Sequence, residues 1–373
     1  MKKRVGPFRL ILPRGRILSG LLFLLSLASC GLGGGTGGSP PPSSTFSPPN
    51  VTAFGTIAVD KGNNNIWVAT INTYGVMEIP STATSCATAA DCPLISLGFT
   101  PAGIAVDSSH NVWVTNDTSP GSVTKIPVGN TSCSSSSCPT LSGSFFSSPT
   151  GIAVDTSGNV WVTDSTGNSV TEIPSSTASS FTSTSCSPPS SCPTITGFNS
   201  PTGIAVDTSG NVWVTNDSST SGSVTEIPFG TTTSCSSSCP TYSGFSNPVA
   251  VAFNPTGTTP WIANSGTGTY TPGIVEITEK PPCVSSSSSG CPEITHFTQP
   301  VGLAFDSSGN LWVIDAGTKT TVEITASAIS SAGCSSATPC YQYSLPAAPK
   351  GIATNSQGIW ISLSNAQVIE YKP

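Results

Sequence analysis

Arginine is missing after Arg16, and charge of either sign is scarce: Asp, Glu, Lys and Arg together make up 8% of the 373 residues. Six of the twelve basic residues (Lys2, Lys3, Arg4, Arg9, Arg14 and Arg16) crowd the first 16 positions, and no acid precedes Asp60. The chain beyond residue 29 therefore carries six lysines against 18 acids, a net charge of −12. A surface of that sign repels phosphate backbones, which excludes nucleic acid as a partner. Long apolar runs are lacking too. The stretch ILSGLLFLLSLAS at 17–29 has thirteen residues, too few for a membrane span of about 20. Histidine occurs twice and a C-x-x-C pair not at all, which removes the usual ligand pattern of a structural zinc site. Ser, Thr, Gly and Pro fill the space left by charge, as they do in disordered chains. Here, however, 36% of residues are hydrophobic and fall in short regular clusters, as in a β-rich domain with many turns.

The basic start and the apolar stretch read as an export signal over residues 1–29. It ends in Leu27-Ala28-Ser29-Cys30, which resembles the bacterial lipobox. In that class of signals the cysteine is acylated, so Cys30 is the expected lipidation site and the expected tie to a membrane. Gly31 follows it, not the Asp that retains enteric-type lipoproteins in the inner membrane. The expected location is the outer membrane or the cell surface. Residues 30–50, rich in Gly, Pro and Ser, have nothing to bury and read as a tether. With Cys30 set aside, the other twelve cysteines form six close pairs: Cys86/Cys92, Cys133/Cys138, Cys186/Cys192, Cys235/Cys239, Cys283/Cys291 and Cys334/Cys340. Export places them in a disulfide-permissive compartment, and their uneven spacing favours six local disulfides over metal ligation.

What the rest of the sequence has is a period. Seven tryptophans, Trp67, Trp113, Trp161, Trp213, Trp261, Trp312 and Trp360, lie 46 to 52 residues apart. Each sits in one frame, seen verbatim as PTGIAVDTSGNVWVT at 149–163 and again at 201–215. GIAVD is a short strand, DTSGN a turn with an Asp cap and a Gly at positive φ, and NVWVT a second strand. A third run such as SVTEIP follows, then a Cys-bearing loop and a fourth run such as TITGF. Four antiparallel strands repeated at this interval predict an all-β, seven-bladed propeller over residues 51–373. One blade cannot bury both of its faces, so it stacks on copies of itself. The seventh repeat stops after its third strand, VIEYK, and has no Cys pair. An N-terminal strand, taken as Val51-Thr52-Ala53-Phe54, is expected to close it and remove an open sheet edge.

The frame PTGIAVDTSGNVWVTDSTGNSVTEIP resembles NHL-repeat propellers, and within them the virginiamycin B lyase (streptogramin lyase) branch. That resemblance implies a catalytic His in a Pro-His-Gly opening of the last blade, a Glu just past its Trp strand, and Mg²⁺. The matching positions here are Pro349-Lys350-Gly351 and Ser362, Leu363 and Ser364, and blade six opens with Pro300-Val301-Gly302. Both catalytic groups are absent from these positions. The same alternation of strand direction places the Pro-x-Gly openings on the top face, ringing the channel with Ala102, Thr150, Thr202, Val249, Val301 and Lys350. Around them, top loops carry Asn116-Asp117, Asp164, Asn216-Asp217, Asn264, Asp315 and Asn365. Asp117, Asp164, Asp217 and Asp315, with Lys350, are the candidate ligand or metal site, the oxygens suiting Ca²⁺ or Mg²⁺; as plainly, Asn and Asp begin turns. Glu172 and Glu226 of the third strands read as a solvated face, the aspartates of IAVD and the tryptophans as turn caps and packing, and neither His110 nor His296 has a triad partner.

The expected function is that of a monomeric, non-enzymatic, lipid-anchored envelope module that binds a protein or glycan partner. The alternative is a metal-dependent lyase or lactonase using the Asp and Asn top loops. A third reading is a purely structural surface protein.

Overall fold

The computed structural model describes residues 42–134, 136–142, 146–182, 186, 191–235, 238–266, 271–278, 291–330 and 340–372. The export signal, Cys30, Cys283 and Cys334 lie outside these residues.

Each repeat folds into a four-stranded antiparallel sheet, and seven such sheets close the propeller. In blade 3 the strands are Pro149–Val154, Val160–Asp164, Ser169–Ile173 and Thr194–Thr196, here called A to D from the channel outward. Strand B is buried at every position in all seven blades. It is covered on both faces by neighbouring blades, which is why it reads as an unbroken run of β-branched residues around one Trp.

The DTSGN turn explains how an indole can be buried there. Asp155 Oδ1 accepts the backbone N–H groups of Ser157 and Asn159, both at 2.9 Å. Its Oδ2 accepts Asn159 Nδ2 at 2.8 Å and Trp161 Nε1 at 3.1 Å. Gly158 supplies the left-handed φ of +84° that the turn needs. Asp207 and Asp306 repeat all four bonds. The indole, with its N–H satisfied, packs on the next blade. Trp113 of blade 2 meets Ile152, Val160 and Val162 of blade 3, and Trp261 of blade 5 meets Leu303, Leu311 and Val313 of blade 6.

The Gly of Pro-x-Gly serves a different need, close approach of the inner strands. Strand A carries a β-bulge between Pro149 and Ile152. Within it Gly151 N donates to Thr163 Oγ1 at 2.8 Å, and that hydroxyl donates to the Thr202 carbonyl of blade 4 at 2.9 Å. A Cβ at Gly151 would collide with the same carbonyl. Gly103, Thr115 and the Thr150 carbonyl form the same relay between blades 2 and 3. The threonine of VWVT is thus a stitch between blades.

Blade 7 supplies Pro349–Thr354, Ile359–Leu363 and Val368–Tyr371, and its fourth strand does come from the N-terminal side. That strand is Ser44–Phe46, not Val51–Phe54. Ser44 pairs with Glu370, Thr45 with Ile369 and Phe46 with Val368. Phe46, 1% exposed, lies against Trp360 with ring centroids 5.5 Å apart. Phe54 opens strand A of blade 1 opposite Thr70, where other blades place Pro. Both phenylalanines are buried in one cluster, so apolarity does not separate them; register does. The closing strand therefore falls within the stretch read as tether. Across the seam Ser362 Oγ donates to the Gly55 carbonyl at 2.6 Å, continuing the hydroxyl stitch.

Disulfides join Cys86 to Cys92, Cys133 to Cys138, Cys186 to Cys192 and Cys235 to Cys239, each within a C–D loop. Cys291 and Cys340 are also disulfide-bonded. Such a set of local bridges is the mark of an exported chain. Two of the C–D connections hold one-turn helices that the repeat pattern does not announce, Ser175–Ser179 and Ala326–Ser330. Among the described residues no helix is long and apolar enough to cross a membrane.

Candidate functional site

The axis of the ring is a channel whose upper part is a cavity of about 530 Å³. Its rim is the expected ring of Ala102, Thr150, Thr202, Val249, Val301 and Lys350, and blade 1 adds Thr56, which stands where most of the other inner strands carry the bulge glycine. Thr56 escapes a search for Pro-x-Gly because blade 1 opens with Phe54-Gly55-Thr56. Below the rim stand the glycines of the bulges and then Ile57, Ile104, Ile152, Ile204, Val251, Leu303 and Ile352.

The rim offers few free polar groups. Thr56 Oγ1 donates to the Ala102 carbonyl at 3.0 Å, Thr150 Oγ1 bonds the Pro201 carbonyl or Thr163 Oγ1, and Thr202 Oγ1 meets Thr215 Oγ1. Among the described residues what remains is one exposed cation, Lys350, and one exposed anion, Asp117, which lines the mouth. Of the five candidate residues, these two reach the channel.

The other three lie elsewhere and are engaged. Asp164, 1% exposed, accepts the backbone N–H groups of Ser147, Ser148 and Gly167 at 2.7 to 2.9 Å. Asp315 accepts four, from Thr298, Gln299, Gly317 and Thr318. Both carboxylates tie the incoming D–A connection to the B–C corner. Asn264 serves the same corner in blade 5, where it accepts Ser246 N at 2.8 Å. Asp217 accepts Asn247 Nδ2 at 2.6 Å. Among the described residues no three His, Cys, Asp or Glu side chains gather to hold a metal ion.

The positions that the resemblance would make catalytic do not fit Mg²⁺-assisted chemistry. Lys350 brings a positive charge where a neutral base is needed. Ser362 donates its hydroxyl to the seam, and Leu363 is fully buried. Neither residue offers a carboxylate to a cation.

At the lower end of the axis a second cavity of about 460 Å³ is ringed by Asp155, Asp207 and Asp306. Their carboxylates are already saturated by the turn and by the tryptophans.

The glutamates of the third strands are not on a solvated face. Glu172 lies opposite Trp161 and Glu226 opposite Trp213, and both are half-buried. Burial beside the indoles pushes the Glu78, Glu172, Glu276 and Glu323 carboxyls above the usual range. Blade 2 departs from this pattern. Lys125 faces Trp113, with Nζ 5.4 Å from the ring centre, and donates to the Ala178 carbonyl of the neighbouring helix at 2.7 Å. Desolvation pulls its pKa down.

Comparison with known proteins gives a short sequence match and a broad structural one. Residues 146–171 match the NHL repeat. No protein of curated function matches the sequence significantly. Virginiamycin B lyase from Staphylococcus aureus superposes with a TM-score of 0.63 at 14% identity, over 88% of this chain and 98% of the lyase. Hydrazine synthase from Kuenenia stuttgartiensis superposes with a TM-score of 0.68 at 12% identity, over 87% and 97% of the two chains. YCF48 bound to D1 peptide gives 0.61 at 11% identity, over 90% and 96%. At such identities the likeness is one of fold alone.

Proposed function

We propose that this chain is an exported, lipid-anchored binding module of the bacterial cell envelope, whose channel mouth takes a segment of a protein partner. The observation that carries this reading is the composition of the rim: methyl groups, hydroxyls already hydrogen-bonded within the ring, one lysine and one aspartate around an open cavity of about 530 Å³. Such a rim supplies shape, backbone carbonyls and a single charge pair, which suits orientation of a peptide better than proton transfer. The same fold holds a peptide in YCF48. Leu27-Ala28-Ser29-Cys30 supports the anchor.

A photo-crosslinking residue at Thr202 in the channel, compared with one at exposed Thr156 on the lower face, tests this in intact cells. The expected result is a defined adduct from position 202 alone, lost in Lys350→Glu. Equal labelling from both positions refutes the reading. So does turnover of virginiamycin B by the purified protein with Mg²⁺. Mass spectrometry of the mature N-terminus checks acylation of Cys30.

A further inference from the structure

A third cavity, of about 250 Å³, lies at the lower rim between blades 1 and 2, and there the repeat breaks its own rules. The A–B turn of blade 1 reads Asp60-Lys61-Gly62-Asn63-Asn64-Asn65, one residue longer than Asp155-Thr156-Ser157-Gly158-Asn159. The extra residue uncouples the aspartate from its usual partners. Asn65 Nδ2 turns to Glu78 Oε1 at 2.6 Å. Trp67, 7% exposed, keeps its place, but its Nε1 is buried with no acceptor. Four other blades satisfy the same indole with Asp107, Asp155, Asp207 or Asp306.

Asp60 is held instead by His110 of blade 2, with Nδ1 2.7 Å from Oδ2 and 2.9 Å from Oδ1. His110 occupies the turn position that is glycine in blades 3, 4 and 6, and it takes the same left-handed conformation, φ +65°. A bulky residue there is strained. Gly62 leaves the room for it, since a Cβ on Gly62 would strike the imidazole. The cavity thus combines a buried donor without an acceptor, two carboxylates, an imidazole held at one nitrogen, and an apolar side formed by Ile126, Pro127 and Val128.

The chemistry of the lining narrows what can enter. Two carboxylates facing one imidazole disfavour an anion. An indole N–H presents its positive end to a cation, and no three ligating side chains converge. A wholly apolar occupant would leave the second oxygen of Glu78 and the outer nitrogen of His110 dry and without partners, which polar groups resist. What fits is a neutral group that both accepts and donates hydrogen bonds and has an apolar face. The volume equals about eight waters at roughly 30 Å³ each, enough for one hydroxylated six-membered ring. We infer that this cavity is a carbohydrate subsite for a single sugar ring, with the second oxygen of Glu78 accepting from one hydroxyl, His110 Nε2 bonding another, Val128 covering the C–H face and the Trp67 indole in the wall beside it.

The seven tryptophans provide the readout. Nitrogen-15 correlation spectra of the full chain resolve indole N–H signals, and Trp67→Phe identifies that of Trp67. The probes are methyl α-D-glucopyranoside, methyl β-D-galactopyranoside and N-acetyl-D-glucosamine, with sodium phosphate, CaCl₂ and MgCl₂ as counter-probes. The expected result is a saturable shift of the Trp67 signal with at least one sugar while the other indoles stay in place. Glu78→Gln should weaken it about ten- to a hundredfold. Val128→Arg, at an exposed rim position, should abolish it even if the Glu78 variant folds poorly. A Trp67 signal that ignores all three sugars, that follows phosphate or the divalent ions instead, or whose sugar shift survives both variants overturns the inference. A disaccharide bound as well as its terminal methyl glycoside would identify the ligand as the end of a glycan chain; exclusion of the disaccharide would identify a free monosaccharide.

Discussion

Replacing Phe46 by Ala should open the ring at one place. The closing strand has three residues, and fixing their backbone costs roughly 1–2 kcal/mol each. Its main-chain pairing with Val368–Glu370 offsets part of that, at about 1 kcal/mol per hydrogen bond. Phe46 is its one large apolar side chain, fully buried against Trp360 and in the same cluster as Val68 and Val368. Loss of a buried phenylalanine costs about 3–5 kcal/mol, enough to leave the strand without a net reason to dock. Urea denaturation should register that loss. Hydrogen exchange should locate it, with protection of the amides at 368–371 falling well below that of other B and C strands. Phe146→Ala serves as the control: an equally buried ring, 1% exposed, set between blades 2 and 3. It should cost a similar amount without singling out 368–371. A loss below about 1 kcal/mol for Phe46→Ala, or unchanged exchange at the seam, would refute the assignment of Ser44–Phe46 as the strand that closes the ring.

Three further outcomes can be checked. Asp306→Ala strands Trp312 Nε1, a donor 3.0 Å from the lost carboxylate and 2% exposed as a residue; the expected cost is about 2–4 kcal/mol by urea denaturation, with Asp306→Asn retaining part of the bonding. Burial raises the carboxyl pKa of Glu78, Glu172, Glu276, Glu293 and Glu323 in the fold. Their contribution to stability is therefore present below the unfolded glutamate pKa and is lost as pH rises through the higher folded values. Glu172→Gln should accordingly stabilise the protein at pH 7 and have little effect at pH 4, as read by melting curves; a destabilised variant at pH 7 would contradict this. For metal, melting curves after EDTA and after CaCl₂ or MgCl₂ should coincide, because the Asp164 and Asp315 carboxylates are spoken for by backbone donors; an upward shift on adding either ion would reverse that reading.

The architecture was open to inspection in one dimension because its determinants are local and repeated. The Trp frame, the Asp turn and the alternation of apolar runs recur at a near-constant interval, and each is satisfied mostly within its own blade. The seam is the exception: the repeat pattern points to Val51–Phe54, and the structure uses Ser44–Phe46. Phe46 and Phe54 are both buried, and what tells them apart is pairing with Val368 or with Thr70, a long-range fact. The glutamates of the third strands look solvent-facing by composition, and only the register that sets Glu172 opposite Trp161 shows otherwise. The channel rim was deducible from strand direction, with Thr56 missed where the motif decays. The cavity beside Trp67 had a visible half-signal, a histidine standing in a glycine frame at 110 and a turn one residue too long at 60–65. Their meeting lies 50 residues apart along the chain, and no property of either segment alone announces it.

The closing strand has a mechanical consequence. Among the described residues Ser43 and Ser44 are the first to be held by the ring, through the Glu370 carbonyl and the Ser44–Phe46 ladder. Tension arriving through the chain ahead of Ser43 therefore acts on the seam before it acts on any complete blade. Antiparallel pairing makes Ser44–Glu370 the first contact to meet the pull, with Phe46 and its contact with Trp360 as the last to release. Drag on a tethered ring would be felt as unclasping of blade 7, and the remaining six sheets, each built from consecutive strands of its own repeat, would keep their fold.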